Sequence, residues 1–224
     1  MTEFVLIRHG ETDWNRELRF QGQIDVPLNE IGLLQAERLG QRIQGSLTEW
    51  VQQGRVPVHL VSSDLVRARQ TAAPVAHALG VDCALEPGLR EQSFGLFEGL
   101  QVAQIREAHA DHWEQWTRFD ADHAVPRAES TRHFHARVMA CLHRLAQRYP
   151  GERVVVVTHG GVLDMVWRDA QGASLHGPRV CDIPNAGVNH VQRRDTQLHI
   201  LHWADTTHLG DLPPQPVYRQ TQRG

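Results

Sequence analysis

Apolar residues are distributed along this chain in two patterns. The first is the short continuous run: Phe4 to Ile7, Val58 to Val61 and Val154 to Val157, the last being the most strongly β-branched stretch. Such runs suit interior strands covered on both faces better than the alternating pattern of a surface strand. The second pattern repeats at three to four residues. From Gly32 onward Ala36, Leu39, Ile43, Leu47 and Trp50 share one stripe, predicting an amphipathic helix that ends near Gly54. Ser62-Ser63-Asp64 offers helix-capping residues before Leu65, Ala68, Ala72 and Leu79, with Arg67 in the first turn and Gly80 as the C-cap. Val81 to Leu85 reads as a third strand. Phe134, Val138, Leu142 and Leu145 predict a helix stopped by Tyr149-Pro150-Gly151, and Val162 to Trp167 starts another. Gly187 to Val191 and Leu198 to Trp203 pair as a hairpin around Asp195-Thr196.

The order strand, helix, strand, helix, strand predicts an α/β fold. It is a three-layer, mostly parallel sheet flanked by helices and built from right-handed crossovers. Asp13 to Pro27 is polar and broken by Gly22 and Pro27, which predicts a long loop leaving the first strand. Between Gly95 and Ser130 the alternation fails, and a helical insertion above the sheet is expected over residues 95–130. Within it Trp113, Trp116 and Phe119 read as a small satellite core rather than a base-stacking platform, and His109, His112 and His123 as solvated. One domain over residues 1–208 is expected, with residues 209–224, rich in Pro, Gln and Arg, as a mobile tail.

Composition narrows the functional classes. The 224 residues carry a formal net charge of -3, so no overall attraction to nucleic acid or acidic lipid is expected. No run approaches the ~20 apolar residues of a membrane span. Met1-Thr2-Glu3 leads directly into a strand without a signal-peptide pattern, so a cytoplasmic location is expected. Cys83, Cys141 and Cys181 are scattered and odd in number, which predicts reduced thiols. Fifteen histidines invite a metal reading, but the pairs His109/His112 and His199/His202 lack patterned Cys or acidic partners, so no metal site is expected.

The chemistry sits where two apolar runs stop. Arg8-His9-Gly10 follows the first, and Thr158-His159-Gly160-Gly161 follows the last. Open α/β sheets bind ligands at the carboxyl ends of their strands, so two imidazoles there, with Arg8 and Arg67, form a phosphate site. Phosphoryl transfer needs positioning and positive charge, and arginines with a helix N-terminus supply both without a metal. A neutral imidazole is a competent nucleophile. A second, protonated histidine would donate to the phosphoryl oxygens, and a carboxylic acid would protonate the leaving alkoxide. Glu91, after the third strand, is the acid best placed by sequence.

These residues also carry a resemblance. Arg8-His9-Gly10-Glu11-Thr12 with Asn15 and Gln21-Gly22 comes first, then Ser63-Asp64-Leu65-Val66-Arg67-Ala68 with Thr71. Leu89-Arg90-Glu91 with Gly95 and Glu98-Gly99 follows, and Thr158-His159-Gly160-Gly161 closes the series. Together, over about Phe4 to Val191, they resemble the histidine phosphatase superfamily, in the branch of cofactor-dependent phosphoglycerate mutases and broad-specificity phosphatases. The resemblance implies that His9 is the phosphorylated nucleophile and that Arg8, Arg67 and His159 surround the phosphoryl group. It implies Glu91 as general acid and base, Asn15, Gln21, Gly22 and Gly160 as lining the phosphate or substrate site, and no metal or other cofactor. Arg127-Ala128-Glu129-Ser130 departs from the Gly that relatives often carry before Glu-Ser.

The expected activity is metal-independent hydrolysis of a phosphomonoester, with a small phosphorylated metabolite as substrate and inorganic phosphate as product. A phosphoglycerate mutase and a catalytically weak phospho-ligand-binding relative are the alternatives. Hydrolysis ranks first because Leu100 to Ala128 offers only Arg106, Arg118 and Arg127 and no lysine, where mutases of the family carry a basic cluster. Selectivity is assigned to the insertion.

Overall fold

The computed structural model describes residues 1–52 and 57–215. Six strands form one sheet in the order β3-β2-β4-β1-β5-β6. The strands are β1 (Thr2–Arg8), β2 (Val58–Ser62), β3 (Cys83–Leu85), β4 (Arg153–Thr158), β5 (Val188–Arg194) and β6 (Gln197–Asp205). The first four are mutually parallel, whereas β5 pairs antiparallel with β1 and with β6. The sheet is therefore mostly parallel with an antiparallel edge, as the predicted hairpin requires. Asp195 takes the tight turn between β5 and β6 at φ 52°.

Alternation along β1 and β4 explains why both runs are apolar throughout. Val5, Ile7, Val155 and Val157 pack against Leu39 and Ile43 of α2 (Glu30–Gln52) and Ala68, Ala72 and Val75 of α3 (Val66–Leu79). Phe4, Leu6, Val154 and Val156 face the opposite layer, formed by α6 (Thr131–Arg148) and α7 (Gly160–Gln171). With helices on both faces the middle of each strand is apolar and polar residues such as Thr2, Arg153 and Thr158 sit at the strand ends; each buried Val, Leu or Phe contributes about 1.5–3 kcal/mol of transfer free energy.

Several boundaries move from their sequence positions for local reasons. The side chain of Asn29 accepts from the Gly32 amide, so α2 starts at Glu30 rather than Gly32; its expected end near Gly54 lies outside the described residues. The third strand is shorter than Val81 to Leu85, because Val81 donates back to Ala76 to finish α3. The loop from Asp13 contains one helical turn, α1 (Asp13–Arg16), closed by reciprocal bonds between Thr12 and Asn15.

The insertion is helical as expected, with α4 (Val102–Ala108) and α5 (Ala110–Trp116). Its core is Phe97, Ile105 and Val125, against which Phe20, Phe94, Trp113 and Trp116 pack. Trp113 and Trp116 stack at 5.2 Å, and Phe119 leans on Trp116 at 5.5 Å. His109, His112 and His123 are half-buried rather than fully solvated.

At the C-terminal end, the segment expected to be mobile is tied down as far as it is described. Asp211 pairs with Arg38, and Gln215 bonds twice to Asn185. Residues 216–224 lie outside the described residues. Among those described, no helix is long and apolar enough to cross a membrane. Cys83, Cys141 and Cys181 are free.

Candidate active site

Parallel pairing places Arg8 opposite Thr158, so the chain emerges from β1 and β4 side by side. The His9 amide extends the ladder by donating to the Thr158 carbonyl at 2.8 Å, and the His9 and His159 ring centroids lie 5.2 Å apart. Gly10 is needed for space: a Cβ there would come within 2.6 Å of the Gly32 carbonyl oxygen, where α2 crosses behind the loop. The Gly10 amide is held by Thr71 Oγ1.

His9 is 3% exposed, and its Nδ1 lies 2.7 Å from the Gly10 carbonyl oxygen. A carbonyl only accepts, so Nδ1 carries the proton and Nε2 keeps its lone pair. Burial, and then the charges of Arg67 and Arg8, push the His9 pKa well below the usual histidine value. The ring is neutral at ordinary pH, the state a nucleophile needs.

His159 is fully buried as the N-cap residue of α7. Its Nε2 lies 2.8 Å from Ser63 Oγ, and its Nδ1 is buried without a hydrogen-bond partner. The expected protonated state is corrected here: burial, Arg67, His9 and Arg8 also drive its pKa well below the usual value, so it is neutral. The helix cap predicted at Ser62-Ser63-Asp64 is corrected as well. Leu65 is the N-cap of α3 and offers no side-chain bond. Ser63 meets His159 instead, and Asp64 forms a two-point pair with Arg90. Asp25 occupies the start of α3 by accepting from the Val66 amide.

Two guanidiniums stand beside the imidazoles. Arg67, with no exposed surface, donates to the carbonyls of Ile24 at 2.9 Å and Gly22 at 2.7 Å, while its Nε lacks a partner. Arg8 donates to the Ile183 carbonyl at 2.6 Å, and its Nε is likewise buried and unpartnered. Both pKa values fall to about 10, from burial first and for Arg8 then from the neighbouring charge of Arg179. Both therefore stay charged at neutral pH. The unpaired, buried Nε donors of these two cations could hold an anion between them.

Glu91 reaches the same place. Its oxygens accept from the amides of Gln92 at 2.9 Å and Gly161 at 3.0 Å. A Cβ on Gly161 would lie 2.1 Å from Glu91 Oε1, so this position must be glycine for the carboxylate to approach α7. The Glu91 loop is stapled by Thr158 Oγ1 donating to Leu89 and by Arg137 donating to the carbonyls of Gly88, Arg90 and Glu91.

The secondary positions divide. Gly160 lies beside Arg8 and Arg179, whose nearest atoms would be 3.4 and 3.5 Å from a Cβ there. Gln21 is buried with Oε1 unpartnered near the Arg67 loop. Gly22 acts through its backbone: at φ 50° its carbonyl holds Arg67, and a Cβ would strike the Glu98 carboxylate. Asn15 uses its side-chain oxygen to cap α1 and to accept from Asn185.

Sequence reasoning missed Ser63, Gly161 and Arg179 as site residues. The first two lay inside quoted motifs and carried a signal. Arg179, in an irregular loop, carried none.

Beside Gly161 opens a cleft at the foot of the insertion. Phe94, Trp116, Phe119 and His123 line it together with Asp164, Met165 and Arg179. Arg168 binds the carbonyls of Ser174, His176, Gly177 and Pro178, holding the loop that presents Arg179. Among the described residues, the one trio near metal-ligand spacing is Asp120, Asp122 and His176. All three are exposed and already paired, with Arg132 holding Asp122 and His176 facing Asp120.

Two neutral histidines, the buried Arg67, the half-buried Arg8 and the carboxylate of Glu91 thus meet at one edge of the sheet. The chain matches the histidine phosphatase superfamily (branch 1) over residues 4–206, and it belongs to that family. It is 36% identical to a metal-independent phosphoserine phosphatase of Arabidopsis thaliana, over 95% of this chain and 85% of that one. It is 31% identical to a probable phosphoglycerate mutase GpmB of Yersinia pestis, over 95% and 97%.

Among solved structures it resembles Bacillus stearothermophilus YhfR, with a TM-score of 0.79, 27% identity, and 93% and 100% of the chains covered. It also resembles a mycobacterial glucosyl-3-phosphoglycerate phosphatase in complex with VO3, with a TM-score of 0.74, 27% identity, and 90% and 98% covered.

Proposed function

We propose that His9 takes the phosphoryl group from a small phosphomonoester and that water then releases inorganic phosphate. One observation carries this reading: His9 is neutral, its Nδ1 is tied to Gly10, and Nε2 is left with its lone pair beside two buried arginines. In the first step Nε2 attacks phosphorus, the P–O bond to the leaving group breaks, and Glu91 in its acid form gives the alkoxide a proton. In the second step water attacks the phosphohistidine, Glu91 takes the proton back, and the N–P bond breaks.

Arg8 and Arg67 hold the phosphoryl oxygens throughout. All 23 of the chain's basic Lys and Arg side chains are arginine, suited to two-point contact with phosphate. Ser63 already accepts from the Leu65 amide, so its own proton is free to go to His159 Nε2. That leaves His159 Nδ1 as a neutral N–H donor to the phosphoryl group, a role that requires no imidazolium. The leaving group occupies the cleft under the insertion, where Arg179 favours an acidic substituent and the aromatic wall takes the carbon skeleton.

Likeness to the Yersinia mutase keeps a second reading, return of the phosphoryl group to another hydroxyl. Arg118 is engaged with Glu114, and neither it nor Arg106 nor Arg127 lines the cleft, which favours water as the acceptor.

Rapid quench with p-nitrophenyl phosphate tests the main reading. The expected result is an acid-labile phosphoenzyme in the wild type and none in His9→Ala, whose turnover falls more than about a thousandfold. Wild-type turnover in His9→Ala overturns it. Stimulation of monophosphoglycerate interconversion by 2,3-bisphosphoglycerate, exceeding phosphate release, would favour the mutase.

A further inference from the structure

Behind the nucleophile, away from the arginines, a side chain acts on the same carbonyl that orients His9. Asn185 lies in the loop between α7 and β5 and is 3% exposed. Its Nδ2 stands 3.0 Å from the His9 carbonyl oxygen, 3.3 Å from that of Gly10 and 3.3 Å from Asn15 Oδ1. The Gly10 oxygen is the acceptor that fixes the His9 ring through Nδ1. Next to it, the Ala186 amide donates to the carbonyls of Arg8 at 3.0 Å and His9 at 3.2 Å. The loop carrying Asn185 therefore grips the turn that carries the nucleophile from its outer side.

Asn185 is itself gripped. Its amide donates to Gln215 Oε1 at 2.6 Å, and its carbonyl accepts from Gln215 Nε2 at 2.9 Å. One carboxamide thus satisfies both backbone groups of Asn185. Gln215 is the last residue before the undescribed terminus and lies 206 positions after His9 in the chain.

We propose that Asn185 is a positioning residue for the nucleophile and that Gln215 sets the position of Asn185. The C-terminal segment then takes part in catalysis without touching substrate. The mechanism is geometric. A carbonyl with one donor can tilt in the loop, and the imidazole tilts with it. With Asn185 on the His9 and Gly10 carbonyls, the two successive peptide groups that flank Gly10 are both held, so Nε2 keeps its line of attack. In-line displacement is sensitive to such alignment, and about 1 Å of misplacement costs on the order of a hundredfold in rate. The phosphate cradle of Arg8 and Arg67 shares no hydrogen bond with the Asn185 side chain, so binding of the phosphoryl group should be spared.

This inference rests on His9 as nucleophile, and the test separates the two. Purified full-length wild type, Asn185→Ala, Asn185→Asp and Gln215→Ala are compared by rapid-quench phosphoenzyme formation from p-nitrophenyl phosphate, with KM and thermal melting measured on each. Asn185→Ala is expected to lower the rate of phosphoenzyme formation about thirtyfold with KM changed less than twofold. Asn185→Asp, which sets a carboxylate oxygen against the Gly10 carbonyl, should fall further. Gln215→Ala should lower the same rate three- to tenfold, and it keeps the test open if the Asn185 variants do not fold. A lower melting temperature with the wild-type rate of phosphoenzyme formation would show a merely structural loop and overturn the proposal. Absence of a phosphoenzyme in the wild type would instead overturn the reading of His9.

Discussion

The two strand ends, Arg8-His9-Gly10 and Thr158-His159-Gly160, carry the same dipeptide in adjacent parallel strands, yet the fold gives the two histidines opposite free nitrogens. His9 is fixed at Nδ1 by the next carbonyl in its own chain, which leaves Nε2. His159 is fixed at Nε2 by Ser63, 96 residues away at the end of β2, which leaves Nδ1. In the proposed mechanism the local anchor leaves one ring a lone pair for attack, and the distant hydroxyl, donating to Nε2, leaves the other an N–H. The same burial and the same arginines keep both neutral, so hydrogen bonding rather than charge separates their roles.

Breaking that asymmetry should have graded effects. The largest is expected on exchanging each ring for a carboxamide. His9→Gln should abolish phosphoenzyme formation, whereas His159→Gln should still form it, slowed about a hundredfold, because one preorganised donor is lost. Equal loss in both variants on rapid quench would dissolve the division of labour. Next comes Gly161→Ala. Its methyl would occupy the position of Glu91 Oε1, and displacing that carboxylate should cost about thirtyfold in turnover of poor leaving groups. Turnover of p-nitrophenyl phosphate, whose phenolate leaves without help, should fall less. A matched loss on alkyl and aryl phosphates would remove Glu91 from the proton transfer.

Ser63→Ala should act more gently, at about tenfold, by releasing the tautomer of His159 and leaving its Nε2 unsatisfied. Nitrogen NMR chemical shifts of the His159 ring provide the check, and an unchanged tautomer in the variant would count against Ser63 as its selector.

The smallest effect concerns stability against pH. Burial lowers the pKa of His9, His159 and His190, and that of His208 to about 4. Unfolded histidines titrate near 6.5, so between there and the lower folded values the unfolded chain binds more protons. Stability is thus complete above about pH 6.5 and is lost as pH falls, by at most ~1.4 kcal/mol per pH unit for each such histidine. Urea midpoints at pH 7.5, 6 and 5 should decline accordingly, and His208→Asn should flatten the slope by about one proton. A midpoint independent of pH would contradict the buried neutral state shared by the two rings.

Much of this was legible in the residues. The runs Phe4 to Ile7 and Val154 to Val157 determined two interior strands, because a strand covered on both faces has no solvent side to tolerate polarity. The helical stripes and the hairpin at Asp195-Thr196 followed from spacing alone, and the insertion from the place where the alternation of strand and helix broke. The grouping of Arg8, His9, Arg67, Glu91 and His159 was readable because each ends or begins a regular element, and parallel sheets collect those ends on one edge. What the sequence could not determine was direction and state. Ser63 read as a helix cap because Ser-Ser-Asp before an apolar stripe usually is one, but β2 delivers it to His159 instead. Protonation of His159 depended on which charges closed around it. The side-chain oxygen of Asn15 is engaged with Thr12 and Asn185, a partnership that no local spacing announced. Arg179, Asn185 and Gln215 lie in irregular segments, where spacing carries no signal. Their roles exist only once the chain has brought residues as far apart as 9 and 215 within reach of one loop, a matter of tertiary contact that local sequence does not encode.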